Sequence, residues 1–412
     1  MESSISRRGF VAGATAAAVA ATGLALGGRA EALQASDVAG WDYEADVVVC
    51  GSGAGGASAA VEAADNGAEV IVIEKKDWAG GQLRRCGGGV MAAGTQVQAK
   101  FGIEDDADSM FEYWKAMGQG LCDEELVRDY CDNSASIIDW IIDDLGGEPL
   151  DQWEISGDDP QGLEYTVFSG LNIGVDAEQM RELGFDPVAR CHWFTQNPDD
   201  ELIGDESKGL FPTAGGTGLY KTFADAMDAR GVQVMLETAL TRLVVADGTN
   251  EVVGVVAQQG ESQVFIRARR GVVVATGNFA TNRDMHLNYT LEDYTANDYE
   301  GFGQDLAEEN DGSGFNACVA LGAAPKFPGK LNKPLDHSLD GDYAFMLGGL
   351  TIDAQARAID VFGEPIPRLY LSSALAGGVI GGAYPACGAS VGRNLYFGRV
   401  AGREAASQEP LA

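Results

Sequence analysis

The stretch DVVVCGSGAGGASAAVEAADNGAEVIVIE, residues 46–74, decides how this chain is read. Asp46 to Cys50 is a short, mostly apolar run of the kind a strand buried on both faces carries. It passes directly into Gly51-Ser52-Gly53-Ala54-Gly55-Gly56, which satisfies G-x-G-x-x-G, and the Ala-rich run after Gly55 reads as a helix stopped by Gly67. Glu69 to Glu74 is a second short apolar strand, so the unit is βαβ and its strands are parallel. In that setting Gly51 allows the tight turn, Gly53 lets a pyrophosphate approach the backbone beside Ala54 and Gly55, and Gly56 packs helix on strand. The helix N-terminus faces the phosphates. Glu74, at the end of the second strand and followed by Lys75, is placed to accept hydrogen bonds from a ribose diol. Nicotinamide and flavin dinucleotides both remain open at this point.

Outward from this unit, the 412 residues allow one large domain with a smaller insertion. Residues 1–32 place Arg7 and Arg8, followed by Phe10, before an Ala/Gly/Val run and Ala30-Glu31-Ala32, which has the form of a cleavage site. This predicts a twin-arginine export signal cut after Ala32, hence a periplasmic or cell-surface protein folded around its cofactor before export. Past it, no stretch is apolar enough to span a bilayer. The formal charge of −34 argues against nucleic acid and anionic lipid as partners. Seven scattered cysteines contain no C-x-x-C and no C-x-x-C-H, so neither a zinc knuckle nor an attached c-type haem is signalled.

Residues 33–44 read as a linker. Helices are expected at Ala107–Gln119, Asp123–Leu145 and Leu219–Arg230. Strands are expected at Val232–Leu236, Leu243–Ala246, Val252–Ala257, Val264–Ala268, Val272–Ala275, Leu350–Ile352 and Leu369–Ser373, with a turn at Asp247-Gly248. A last helix is expected from Ala389 to Ala406. Between Gly146 and Pro212 the chain is polar, rich in Gly, Pro and Asp, and interleaved with Trp153, Tyr165, Phe168, Trp193 and Phe194; it reads as an irregular excursion over a cleft. The predicted fold is doubly wound α/β. A dinucleotide-binding domain runs over residues 45–278 and is completed by 347–406, with a reduced cap at 279–346.

Four more stretches bear on the cofactor. Gly81-Gln82 and Gly87-Gly88-Gly89 form a second glycine cluster whose amides suit a flavin ring and pyrophosphate. Ala239 and Leu240 follow a strand and suit adenine. Ala275-Thr276-Gly277 caps the VVVA strand. The last is GGAYPACGASVGRNLYFGR, residues 381–399, a glycine-rich loop opening a helix. Taken in this order, these stretches resemble the two-part flavin domain of the FAD-dependent fumarate reductase, flavocytochrome c and 3-ketosteroid dehydrogenase superfamily. Tyr384-Pro385-Ala386-Cys387-Gly388-Ala389-Ser390-Val391-Gly392, leading to Phe397-Gly398-Arg399-Val400-Ala401-Gly402, is most similar to the ketosteroid dehydrogenase branch, and so is Cys86-Gly87-Gly88-Gly89.

The resemblance implies FAD, with Ser390 and Val391 at its pyrimidine edge. It also implies that the Tyr384 hydroxyl and the Gly388 amide grip a ketone oxygen while hydride passes between flavin N5 and an activated carbon-carbon double bond. Tyr165 stands as the proton-donor candidate. Electrons would come from a separate cytochrome or quinone-linked partner. Fumarate- or urocanate-type reduction, and electron transfer without catalysis, are the alternative readings. Leu83 stands where the family places Ser or Thr, and Ala374 where it often places Glu or Asn. The segment from Phe279 to Leu347 is shorter than the family's cap. His192, His286 and His337 are isolated and read as surface or core residues.

Overall fold

The computed structural model describes residues 32–149, 215–279, 310–326, 348–381 and 384–411, with residues 184–186, 188–195, 197, 199–200, 282, 284–285 and 289 between them. The expected export signal, Tyr165, Trp153, Phe168, His286 and His337 lie outside the described residues.

One nine-stranded sheet organises the chain. Its strands are β1 (Leu33–Gln34), β2 (Tyr43–Cys50), β3 (Val70–Ile73), β4 (Gln233–Met235), β5 (Thr238–Val245), β6 (Val252–Gln259), β7 (Ser262–Val274), β8 (Arg357–Ile359) and β9 (Pro365–Leu371). Strands β9, β7, β2, β3 and β4 lie side by side and all parallel. Strands β5, β6 and β7 form an antiparallel meander beside them. Strand β7 belongs to both parts: its first half pairs with β6 and its last three residues pair with β9, Val272 opposite Leu369 and Val274 opposite Leu371. Two strands were expected here, Val264–Ala268 and Val272–Ala275. They are one because the backbone stays extended through Arg269-Arg270-Gly271 while its partner changes.

The supposed linker also departs from expectation. Leu33-Gln34 adds a parallel edge strand to β5, and the Trp41 ring fills the space a side chain on Gly254 would need. Helices α1 (Ala54–Asp65), α2 (Ala107–Gly118), α3 (Glu124–Asp139), α4 (Gly216–Ala229), α5 (Ser313–Val319) and α6 (Ala389–Ala406) cover the sheet. The expected helix to Leu145 is α only to Asp139 and continues as a π turn, Trp140–Asp144. Helices α1 and α6 approach backbone to backbone: Ser58 Oγ donates to the Leu395 carbonyl at 2.5 Å, and a methyl on Gly402 would overlap the Ala59 carbonyl. Only small residues permit that approach, which explains the Ala/Gly bias of both helices. Of the stretch 279–346, α5 joins this core, with Phe315 stacked edge-on against Phe279 at 5.1 Å.

Candidate active site

Parallel strands end together, and their carboxyl ends form the crevice where an open α/β sheet binds its ligand. The chain leaves β2 through α1 to β3 on one side and returns to β7 on the other, so β2 marks the switch point. Gly51 N–H donates to the Ile73 carbonyl at 2.8 Å, Ala275 N–H to Cys50 at 2.8 Å and Ser372 N–H to Val274 at 3.1 Å. These bonds fix the turns after β2, β7 and β9 against one another.

Within the first turn the glycines have different reasons. Gly51 has φ +101°, and a methyl there would lie 2.5 Å from the Ala275 carbonyl oxygen. A methyl on Gly56 would overlap the Gly51 carbonyl oxygen, and one on Gly55 the Ser372 hydroxyl. Gly53 is otherwise: its nearest neighbour would be the Gly80 carbonyl at 3.8 Å, ordinary contact. Nothing in the fold demands glycine at Gly53, whereas a diphosphate lying on the α1 N-terminus would, because it needs the backbone bare. On this observation the residues fit FAD.

Glu74 is buried behind this turn. Its Oε2 accepts from Ser52 N at 3.0 Å and from Ser52 Oγ at 2.6 Å, and its Oε1 accepts from Lys76 N at 3.1 Å. Oε1, with one bond accepted, retains a lone pair for a ribose hydroxyl. Ser52 Oγ also accepts from Gly80 N at 2.9 Å, so one serine ties the glycine turn, the acid and the second glycine cluster together. Sequence reading passed over Ser52 because it occupies a variable position of the motif. Lys75 pairs with Asp311 at 3.1 Å. Ala239 and Leu240 lie on β5, opposite Gln258 and Ala257, and the preceding Thr238 N–H donates to the Glu74 carbonyl at 2.7 Å, placing the expected adenine segment beside the expected ribose acid. Thr276 and Gly277 follow β7; Gly277 has φ +79° and packs against Asn310.

The second glycine cluster and the C-terminal loop meet. The Met91 N–H donates to the Gly388 carbonyl at 3.1 Å, and the sulfurs of Cys191 and Cys387 both crowd Gly89. Gly87 packs against the Trp193 ring and Gly88 against Gly216. The C-terminal glycines leave space beside the backbone. At Gly388 that space is taken by Met91 N, 2.6 Å from where a methyl would sit, and at Gly392 by the Tyr130 hydroxyl. Helix α2, which carried no visible chemistry in the sequence, holds the loop: Tyr113 donates to the Pro385 carbonyl, and Trp114 Nε1 to the Val379 carbonyl at 2.8 Å.

Tyr384 is buried, and its hydroxyl oxygen accepts from Ser390 N at 2.9 Å in the first turn of α6. Burial raises its phenol well above the ordinary value, so it is protonated at neutral pH. The Ser390 amide is thus engaged by the phenol, and Val391 is half-buried against the core. Gly81 and Gln82 open the short helix Gly81–Arg85 beside Gly53. His192 is wholly buried, with Thr95 Oγ1 at 2.7 Å from Nε2 and the Arg190 carbonyl at 2.8 Å from Nδ1. Desolvation pulls it down to about 4, so it is a neutral core histidine. Among the described residues no cluster of His, Cys, Asp and Glu is suited to a metal, and no helix is long and apolar enough to cross a membrane.

Comparison with known proteins points to the same cofactor. Residues 46–331 match the family model described as FAD binding domain. A 3-oxosteroid 1-dehydrogenase of Mycolicibacterium smegmatis is 29% identical over 318 residues, covering 68% of this chain and 54% of that protein. An acrylate reductase flavoprotein subunit of Shewanella woodyi is 28% identical over 295 residues, covering 69% of this chain and 48% of that protein. The chain therefore spans about half the length of these curated relatives. The crystal structure of a 3-ketosteroid Δ4-(5α)-dehydrogenase from Rhodococcus jostii, in complex with 4-androstene-3,17-dione, superimposes with a TM-score of 0.73 at 25% identity over 92% of this chain and 100% of that one.

Proposed function

Because the chain belongs to the FAD binding domain family, we propose that it is an FAD-dependent oxidoreductase acting on a carbon-carbon bond next to a ketone, with a flat, steroid-like enone as substrate. The observation that carries this reading is the seating of Tyr384. Its phenol is protonated, its oxygen is held by the Ser390 amide at the positive end of α6, and its loop is pressed against the second glycine cluster. Bound FAD supplies hydride transfer at N5.

The chain supplies the rest. Gly53 and the α1 N-terminus take the diphosphate, Glu74 the ribose, and the β5 segment at Ala239 and Leu240 the adenine. The Tyr384 hydroxyl and the Gly388 amide donate to the ketone oxygen as it gains enolate character, each donor contributing about 3 kcal/mol to a developing oxyanion. A donor already aligned by a main-chain bond loses no reorganisation energy when the charge appears. Tyr165 remains the candidate proton donor. Electrons come from a separate cytochrome or quinone-linked partner, and export proceeds through the twin-arginine segment; replacing Arg7 and Arg8 by Lys should keep the protein in the cytoplasmic fraction.

The test is anaerobic: reduce the bound flavin, add a 3-ketosteroid enone, and follow the return of the oxidised absorbance. Reoxidation by the enone supports the reading. Reoxidation by acrylate or fumarate but by no enone supports the alternative suggested by the acrylate reductase relative, reduction of unsaturated acids. Electron exchange with a cytochrome and with no alkene would make it an electron-transfer protein.

A further inference from the structure

The second glycine cluster brings together two cysteines, Cys191 and Cys387, that the proposed chemistry leaves unused. The two-residue strand Cys191–His192 pairs antiparallel with Val90–Met91, Cys191 opposite Met91. Side chains alternate along this segment: His192 points to Thr95, while Cys191 and Trp193 point the other way, toward Gly89. The C-terminal loop reaches the same place, because the Met91 N–H donates to the Gly388 carbonyl. A side-chain carbon on Gly89 would lie 2.4 Å from the Cys191 sulfur and 3.4 Å from the Cys387 sulfur. Two sulfurs that near one point are less than about 6 Å apart, a span that side-chain rotation and a small shift of the loop can close.

Both residues are free thiols. Cys191 is wholly buried, whereas Cys387 is half-buried and is the more accessible of the two. Burial raises the Cys191 thiol well above its ordinary value, and the neighbouring Cys387 raises it further. Cys86, also half-buried, is engaged in its own turn: its thiol donates to the Leu83 carbonyl at 3.4 Å and accepts from Gly88 N–H at 3.3 Å. Cys50 and Cys318 lie wholly buried in the core.

We propose that Cys191 and Cys387 form a dithiol–disulfide pair, a modification site that exchanges with small disulfides such as oxidised glutathione. Cys387 attacks first: its sulfur bonds to one glutathione sulfur, and the other glutathione leaves as thiolate and takes up the Cys387 proton. The Cys191 sulfur then attacks the Cys387 sulfur of this mixed disulfide, and the second glutathione leaves with the Cys191 proton. Two protein thiols and one oxidised glutathione thus become one protein disulfide and two reduced glutathiones. The second step is intramolecular, and its high effective concentration offsets the low thiolate fraction of a buried attacker. The bond ties the strand at Cys191 to the loop that carries Tyr384 and Gly388, so oxidation fixes that loop in place. Nothing in this exchange depends on the substrate being an enone.

The test is to incubate the FAD-loaded protein, under native conditions, with oxidised glutathione, then alkylate it, digest it without reduction and map the peptides by mass spectrometry. A peptide pair linked through Cys191 and Cys387 is expected, formed with loss of two thiols per chain and reversed by dithiothreitol. The linked form should melt higher than the reduced one by about 3 °C or more, because the bond closes a long loop in the unfolded chain; equal melting would remove the hold on the loop. Cys191→Ser should stop at a stable glutathione adduct on Cys387, and Cys86→Ser should leave the link unchanged. In the parent, a glutathione adduct that persists on Cys387, a link from Cys86 to Cys387 in place of this one, or all seven cysteines still alkylated overturns the proposal. The parent alone decides, so the result stands even if a variant does not fold.

Discussion

The two glycine-rich turns look alike in sequence and differ in what their glycines answer to. After β2, one glycine of the motif, Gly53, has free space around it and is explained by a ligand. In the C-terminal loop, Gly388 and Gly392 are explained by the protein itself, by Met91 and the Tyr130 hydroxyl. Glycine richness therefore marks close approach without saying what approaches. Where the backbone is the visitor, the motif builds a frame, and where the space is open, it builds a binding site.

Substitutions break the comparison in order of effect. Gly56→Val forces a side chain into the Gly51 carbonyl and should cost more than about 3 kcal/mol, leaving aggregated protein without yellow colour. Gly388→Ala, strained at φ +83° as well as crowded, should lower stability by about 2 kcal/mol, read as a lower melting temperature. Gly53→Ala should melt close to the parent as apoprotein yet bind FAD about tenfold or more weakly, read by equilibrium dialysis. Equal loss of stability in Gly53→Ala and Gly388→Ala would erase the distinction between the two turns.

The frame around the C-terminal loop also predicts a pH dependence. His192 is neutral and buried between Thr95 and Arg190, with a native value of about 4 below its ordinary 6.5. The unfolded chain therefore binds a proton first as pH falls, and stability present above about 6.5 is lost progressively down to about 4, at most about 3 kcal/mol from this one group. Denaturant titrations at pH 7.5 and about pH 4 should show the difference, and His192→Gln should flatten it. The smallest effect expected is on the stability of Tyr384→Phe, about 1 kcal/mol from the lost acceptor for Ser390 N–H, set against a much larger fall in enone turnover. A Tyr384→Phe variant that turns over enone like its parent would reduce the phenol to a helix cap.

The amino-acid sequence by itself determined the βαβ unit around Gly51 to Glu74 and the final helix Ala389–Ala406, because these rest on short-range periodicity and on turns that only glycine can make, while the choice of flavin came from the resemblance of its glycine-rich stretches to a known family. It could not show that Ser262–Val274 is one strand, since that depends on which partners meet its two halves. Nor could it show that α2 pins the loop through Tyr113 and Trp114, or that Ser52 links Glu74 to Gly80. Each is a contact between residues far apart in the chain. Only the packed structure decides which groups are left facing each other once water has been removed.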